Sequence, residues 1–192
     1  MSSSQIVLDL ETQKTFDEVG GGRNTAELKI SVVGVYFYKT DEFKTFEEQQ
    51  IPELEQALST AERIIGFNTH RFDFVVLQPY LKRLRLSQLP SLDLMAEIEQ
   101  TLGHRVSLQN LAQPTLNEGK SGSGLDAIDF FRKGEMEKLK KYCLDDVRLT
   151  RDLYEFGKRE GYLAYLSKDK ASRLTVKVGW KDPSPEPNLS LF

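Results

Sequence analysis

The sequence predicts an α/β fold of three layers, a mixed five-stranded sheet flanked by helices. Three observations predict it: a meander of three apolar segments at the start, a switch to short strands alternating with helical segments, and one long amphipathic helix late in the chain. Strands first, then strands alternating with helices, bury their apolar faces by stacking in layers about a sheet. With 192 residues, of which 39% are hydrophobic and 29% charged, the chain is large enough for one proper core.

The first strand, Gln5-Ile6-Val7-Leu8-Asp9-Leu10-Glu11-Thr12, is apolar apart from its ends and two acids two residues apart. Alternate side chains of an extended chain share a face, so Ile6, Leu8 and Leu10 fill one side while Asp9 and Glu11 stand together on the other. Two carboxylates this close repel, and one takes up a proton unless a cation lies between them. Hard oxygen ligands suit magnesium or manganese, which points toward phosphoester chemistry.

A loop with Gly20-Gly21-Gly22 follows; it lacks GxGxxG spacing and reads as a mobile loop near the site entrance. Leu28 to Tyr38, alternating through Leu28, Ile30 and Val32, and a short segment around Phe43 to Phe46 complete the meander. Pro52 opens a helix through Ala57 and Ala61, proline being tolerated in a first turn. Arg63 to Phe67 is short, β-branched and apolar, a buried fourth strand. A helix starts near Phe72 and is bent or split at Pro79. Leu92 to Leu94 forms a fifth strand before a helix over Met95 to Leu102, and Ser107 caps another helix. Asn117 to Gly124 is a polar loop, Glu135 to Gly157 the longest helix, ended by glycine, and Leu163 to Trp180 a hairpin.

On the long helix Met136, Leu139, Cys143, Val147, Thr150 and Tyr154 mark the inward face by three-and-four spacing. Asp146 falls within that stripe, whereas Asp145 points to solvent. A buried carboxylate is costly unless paired or bound to metal. Tyr142, one turn earlier, lies where its hydroxyl and the Asp146 carboxylate converge. Asp73 starts a helix just after a buried strand. Alone it reads as an acid complementing a helix dipole; in company with Asp9, Glu11 and Asp146 it reads as the fourth acid of one crevice.

A net charge of -3 argues against a broad basic surface, although Lys and Arg cluster at 82–85, 133–141 and 168–181. No stretch approaches the roughly 20 apolar residues of a membrane helix, and the first strand begins too early for a signal peptide, so a cytoplasmic protein with no membrane partner is expected. Cys143 is the single cysteine, in keeping with a reducing compartment.

In their order and separations, Asp9-Leu-Glu11, Asn68-x-x-x-Phe72-Asp73 and Tyr142-x-x-x-Asp146 resemble the motifs of the ribonuclease-H-like DEDD exonucleases, over about residues 5 to 160. The tyrosine places the resemblance in the DEDDy branch, which includes proofreading domains of family B polymerases; a DEDDh enzyme carries histidine where this chain has Lys141. The resemblance implies a ribonuclease-H-like fold and a 3'-5' exonuclease using two divalent ions, Mg2+ or Mn2+. It implies that Asp9 bridges both ions, that Glu11 and Asp146 complete one site, that Asp73 holds the second largely through water, and that Tyr142 orients the attacking water. The implied partner is nucleic acid with a 3' end, single-stranded or frayed, with DNA favoured and a setting in repair or replication; the sequence itself does not choose DNA over RNA. An internal cutter of the same fold is disfavoured by the tyrosine, and an inactive binding adaptor by the full set of acids.

Asn68, Phe72 and Lys120 are the candidate nucleic-acid contacts. Phe67 and Phe72 are placed to stack a terminal base or to serve as core. The loop Gly119-Lys120-Ser121-Gly122-Ser123-Gly124 is not a Walker A sequence, since that motif's first glycine would fall at Pro114; it is either a plain flexible loop or a phosphate contact through Lys120. His70 and His104 lie too far apart to share a metal. Asp93 supports the site or caps the following helix.

The exonuclease domain is expected over 1–180, followed at 181–192 by a stiff linker with three prolines in Pro183-Ser-Pro-Glu-Pro187 and an apolar tail. Asn188-Leu189-Ser190-Leu191-Phe192 resembles the bacterial sliding-clamp-binding peptide, with Asn188 departing from its glutamine. The tail either binds a clamp through Leu189, Leu191 and Phe192 or folds back on the domain.

Overall fold

The computed structural model describes residues 4–119, 122, 124–169 and 171–183. Lys120 and the tail residues Leu189, Leu191 and Phe192 lie outside the described residues. Five strands form the main sheet in the order β3-β2-β1-β4-β5: β1 Ile6–Thr12, β2 Ile30–Phe37, β3 Glu42–Phe46, β4 Ile64–Gly66 and β5 Ser91–Asp93. The three meander strands pair antiparallel, while β4 and β5 continue parallel to β1, so the sheet is mixed as expected. Helices α1 Ile51–Ser59, α2 Asp73–Leu77, α3 Leu94–Leu102, α4 Leu108–Leu116, α5 Gly124–Arg132 and α6 Met136–Glu160 accompany it. A second, two-stranded antiparallel sheet, β6 Tyr162–Leu166 with β7 Arg173–Lys177, is the hairpin that the sequence predicts.

The alternation of β1 divides the core. Ile6, Leu8 and Leu10 pack with Val33, Val35, Leu54 and Leu77 on one side of the sheet. Val7 and Ile65 face the other way, into a cluster with Val147, Leu153, Leu163 and Trp180. Each such side chain taken wholly out of water contributes about 1.5–3 kcal/mol, so the register of β1 is strongly held. With that register held, residues 9 and 11 have one direction left to point.

Several boundaries move for local reasons. Strand β2 begins at Ile30 rather than Leu28, because Leu28 closes the 3-10 turn Gly22–Glu27 and Lys29 adopts a left-handed φ of 59°. Helix α1 stops at Ser59, short of Ala61. At Pro79 the helix splits as expected, α2 giving way to a 3-10 turn over Gln78–Tyr80. Ser107 caps α4, its hydroxyl accepting from Asn110 N at 3.2 Å. The Gly20 to Gly22 segment is no structureless loop but part of two short 3-10 turns, with Gly21 N donating to Phe16 O at 2.8 Å.

The 117–124 loop ends in a helix, α5, that the sequence reading left out, although Ala127 and Ile128 carry its buried face. Helix α6 also runs past Gly157 to Glu160 and is ended by Gly161, which takes the left-handed φ of 75° that a C-terminal cap requires. Gly157 is instead a packing glycine: a Cβ there would lie 2.5 Å from Trp180 Cζ3.

Candidate active site

The site is built where α6 crosses the odd-numbered face of β1. Opposite Asp9 in the β1/β2 register stands Gly34. A Cβ on Gly34 would lie 2.8 Å from Cys143 Sγ and 3.0 Å from Val147 Cγ2, both closer than van der Waals contact allows. Only a residue without a side chain lets α6 approach this strand so closely. Cys143 then sits against the strand, its thiol donating to Asp9 O at 3.6 Å and lying 3.8 Å from Asp9 Oδ2. One turn further, Asp146 meets the strand acids: single carboxylate oxygens of Asp9, Glu11 and Asp146 all lie within 4.8 Å of one another. Glu11 and Asp146 are buried and Asp9 half-buried.

Asp73 joins them from behind. Strand β4 pairs with β1 only at Ile6 and Val7, so beyond that point the β4 side of β1 needs another acceptor. At Gly66 the chain leaves the sheet in a tight turn, where a Cβ would lie 3.0 Å from Leu8 O, and Asn68 takes a left-handed φ of 66°. This turn delivers the start of α2 to the vacated edge, and Asp73 Oδ1 accepts from Leu10 N at 3.0 Å. The peptide nitrogen that it holds belongs to the residue between Asp9 and Glu11. Asp93 secures the same turn, accepting from Asn68 N at 2.9 Å and His70 N at 3.0 Å, and it also caps α3 through Met95 N and Ala96 N. The expected cap is thus present, and the same carboxylate holds the turn that precedes Asp73.

The electrostatics are those of concentrated negative charge. Burial, and after it the charges of Asp93 and Asp146, push Asp73 up to about 7 against the opposing effect of its backbone hydrogen bonds. Burial, then Asp9, Glu11 and Asp146, likewise hold the Cys143 thiol well above its usual range. A carboxyl that folding raises keeps its proton in the folded chain while the unfolded chain gives it up, so the cost is absent below the unfolded value near 3.8 and grows as pH rises toward 7. Asp73→Asn keeps an oxygen for Leu10 N but removes the charge. Its stability advantage over the parent in EDTA should therefore grow by roughly 2 kcal/mol between about pH 5 and pH 7, which urea melts at the two pH values will read.

The three converging carboxylates open into a cavity of about 380 Å³ whose walls include Phe16, Leu28, Phe72, Leu125 and Ile128. The Phe16 and Phe72 rings lie 6.1 Å apart, and Phe16 and Leu125 are 42% and 66% exposed, well above what core residues of their size show. Of the sequence-predicted residues, Asp9, Glu11, Asp146 and Phe72 thus meet in one cavity. Asp73 braces its floor without belonging to the converging trio. Tyr142 is buried on the same helix face as Asp146, yet its ring lines a neighbouring depression with Asp126, Phe130, Lys138, Lys141 and Asp145. The Asn68 side chain accepts from Arg105 Nη2 at 2.6 Å and does not line the cavity. Sequence reasoning missed Gly34, whose signal was a lone glycine inside a β-branched strand, and Phe16 and Leu125, which carry no pattern of their own.

An all-oxygen donor set of three carboxylates, two of them buried, fits hard divalent ions such as magnesium or manganese and not zinc's preferred nitrogen and sulfur ligands. Among the described residues no helix is long and apolar enough to cross a membrane.

The RNase H superfamily profile matches residues 6–156. Among solved structures, the chain is similar to the family B DNA polymerase from the hyperthermophilic archaeon Pyrobaculum calidifontis, with a TM-score of 0.60 and 16% identity over 80% of this chain and 24% of the polymerase. It is also similar to an exonuclease I in its apo form, with a TM-score of 0.51 and 14% identity over 83% of this chain and 42% of that one. The chain thus spans well under half of either protein, and at these identities the likeness is one of fold. No curated protein matches the chain significantly. A sheet of this order, crossed by a helix that delivers an aspartate to two strand acids, together with a profile match over most of its length, makes this chain a member of the RNase H superfamily.

Proposed function

We propose that the protein is a metal-dependent 3'-5' exonuclease acting on single-stranded or frayed nucleic-acid ends, with DNA as the preferred substrate and repair or replication as its setting. The observation that carries this reading is the convergence of Asp9, Glu11 and Asp146 at the floor of an apolar-walled cavity on an RNase H superfamily sheet. Exonuclease I, a structural neighbour, bears the activity in its name. The motif order Asp9/Glu11, Asp73, Tyr142/Asp146 supports the 3'-5' DEDDy branch of that chemistry.

In this reading Asp9, Glu11 and Asp146, with Asp73 beside them, would hold two divalent ions. When bound, such ions make hydroxide available near neutral pH and stabilise the departing 3' oxygen. The protein's own contributions are positional. Asp73 pins the Leu10 peptide and so fixes the separation of the two strand acids. Tyr142, whose ring lines the neighbouring depression, is given the orienting of the attacking water on its motif position one turn before Asp146, since a tyrosine is too weak a base to do more near neutral pH. Phe16 and Phe72 stack the terminal base, and their apolar walls lower the water content around the charges.

The decisive assay incubates 5'-labelled and 3'-labelled strands of matched DNA and RNA with magnesium. Stepwise loss from the 3' end is expected; an internal cut supports an endonuclease of this fold, and no loss supports an inactive binding protein. Phe16→Ala, an exposed truncation, should raise KM about tenfold on single strands while moving the melting temperature little. A clamp partner for Leu189, Leu191 and Phe192 rests on the sequence pattern alone. Capture of a bacterial sliding clamp by a peptide of residues 184–192, lost on Leu191→Ala, is its test.

A further inference from the structure

Among the described residues lies a cavity larger than the one that holds the carboxylates. About 880 Å³ opens beside α2, with Phe74, Val75, Leu81 and Leu86 among its apolar walls and His70 and Arg85 among its polar ones. It is not isolated. A third depression of about 320 Å³ shares Lys14 with the carboxylate cavity at one end and Ala26 and Pro79 with the large cavity at the other. The three are stations along one trench that starts at Asp9, Glu11 and Asp146.

The trench has the chemistry of a single-strand track. Its cations are spaced along it: Lys14 where the first two depressions meet, Lys29 in the middle, Arg85 in the large cavity. None of the three enters an ion pair among the described residues. Glu27 is the single acid lining the middle or large depression. Aromatic rings accompany the cations, with Phe16 and Phe72 at the start and Tyr80 in the middle, while the edge of the largely buried Phe74 lines the end. Val75 is 38% exposed on the wall of the large cavity, apolar surface that a solvated helix has no need to present. Positive charge beside flat apolar surface is what a flexible polyanion with π-faced bases recognises.

We infer that the large cavity beside α2 is a distal subsite that binds a base and phosphate of the same single strand several nucleotides before its 3' end. The inference rests on the exonuclease reading and deepens it: length of single strand, beyond the terminal nucleotides, becomes a determinant of affinity. The trench also explains why the start of α2 is built so rigidly by Asp93, since one element then carries both the acid that braces the catalytic floor and the wall of the distal subsite.

The test uses the full chain in EDTA with a 5'-fluorescein trinucleotide and octanucleotide of thymidylate, read by anisotropy, and then with magnesium, read as kcat/KM. The octanucleotide should bind at least about tenfold more tightly than the trinucleotide, with the larger salt dependence that extra phosphate contacts bring. Arg85→Glu and Val75→Asp, both at exposed positions, should each cut that length ratio at least about fivefold, and the same ratio in kcat/KM should fall through KM rather than kcat. A parent protein that binds both lengths equally, or variants that keep the ratio, would overturn the subsite. Length-dependent binding without hydrolysis would sink the exonuclease reading alone; hydrolysis without length dependence would sink the subsite alone.

Discussion

Replacing Asp9 by alanine is expected to lower the hydrolysis rate at least about a thousandfold, the equivalent of roughly 4 kcal/mol in the barrier, with no loss of fold. The size follows from position. Asp9 is the more exposed of the two strand acids, and its Oδ2 lies 3.8 Å from the Cys143 thiol that α6 brings down onto β1. In the proposed site, removing it would take one of three carboxylate oxygens and leave Glu11 and Asp146 to hold an ion by themselves. Stability should move the other way. Three carboxylates within 4.8 Å repel when no cation is present, so deleting one relieves the metal-free protein and its melting temperature should stay level or rise. The two effects separate cleanly in one preparation: calorimetric titration with manganese should lose its heat, the EDTA melt should be unchanged or higher, and labelled-strand hydrolysis should vanish. Full activity in Asp9→Ala would end the assignment, and Asp9→Asn should match it if ligand charge, not side-chain volume, is what the site needs.

Gly34→Val should cost activity about a hundredfold and stability about 1–3 kcal/mol, although Gly34 carries no chemistry at all. Its added atoms would occupy space that Cys143 Sγ and Val147 Cγ2 already reach, at 2.8 and 3.0 Å from the first of them. The strand is central and paired on both sides, so the helix must give way. Asp146 rides on that helix, and a displacement of about 1 Å is enough to spoil a constellation of reacting groups. Gly34→Ala should show a smaller form of the same defect. Combining it with Cys143→Ala, which removes the atom most directly struck, should restore part of the activity, a coupling that independent sites do not show. If Gly34→Ala melts and reacts like the parent, close approach of α6 is not what assembles the site.

The parts of this protein legible in its sequence are those set by periodicity. Two-residue alternation assigned Asp9 and Glu11 to one face of β1, and the three-and-four stripe put Asp146 among the buried residues of α6, as the structure finds. Punctuation was read less well. The sequence offers Gly157 as the stop of α6, but whether a glycine caps a helix or packs against a ring depends here on Trp180, 23 positions further along the chain. Helix α5 was passed over because glycine and serine before it masked a short apolar face.

What the sequence by itself determined, then, is which side chains share a face within each element, because that follows from the covalent geometry of strand and helix. Only the tertiary structure decided which faces meet and how closely. The gap between α6 and β1 is set by Gly34 against Cys143, the edge left by β4 is filled by Asp73, and the walls of the cavity come from Phe16 and Leu125. Those pairs are separated by tens of residues in the chain, and no local rule of spacing reaches across such a distance; packing does.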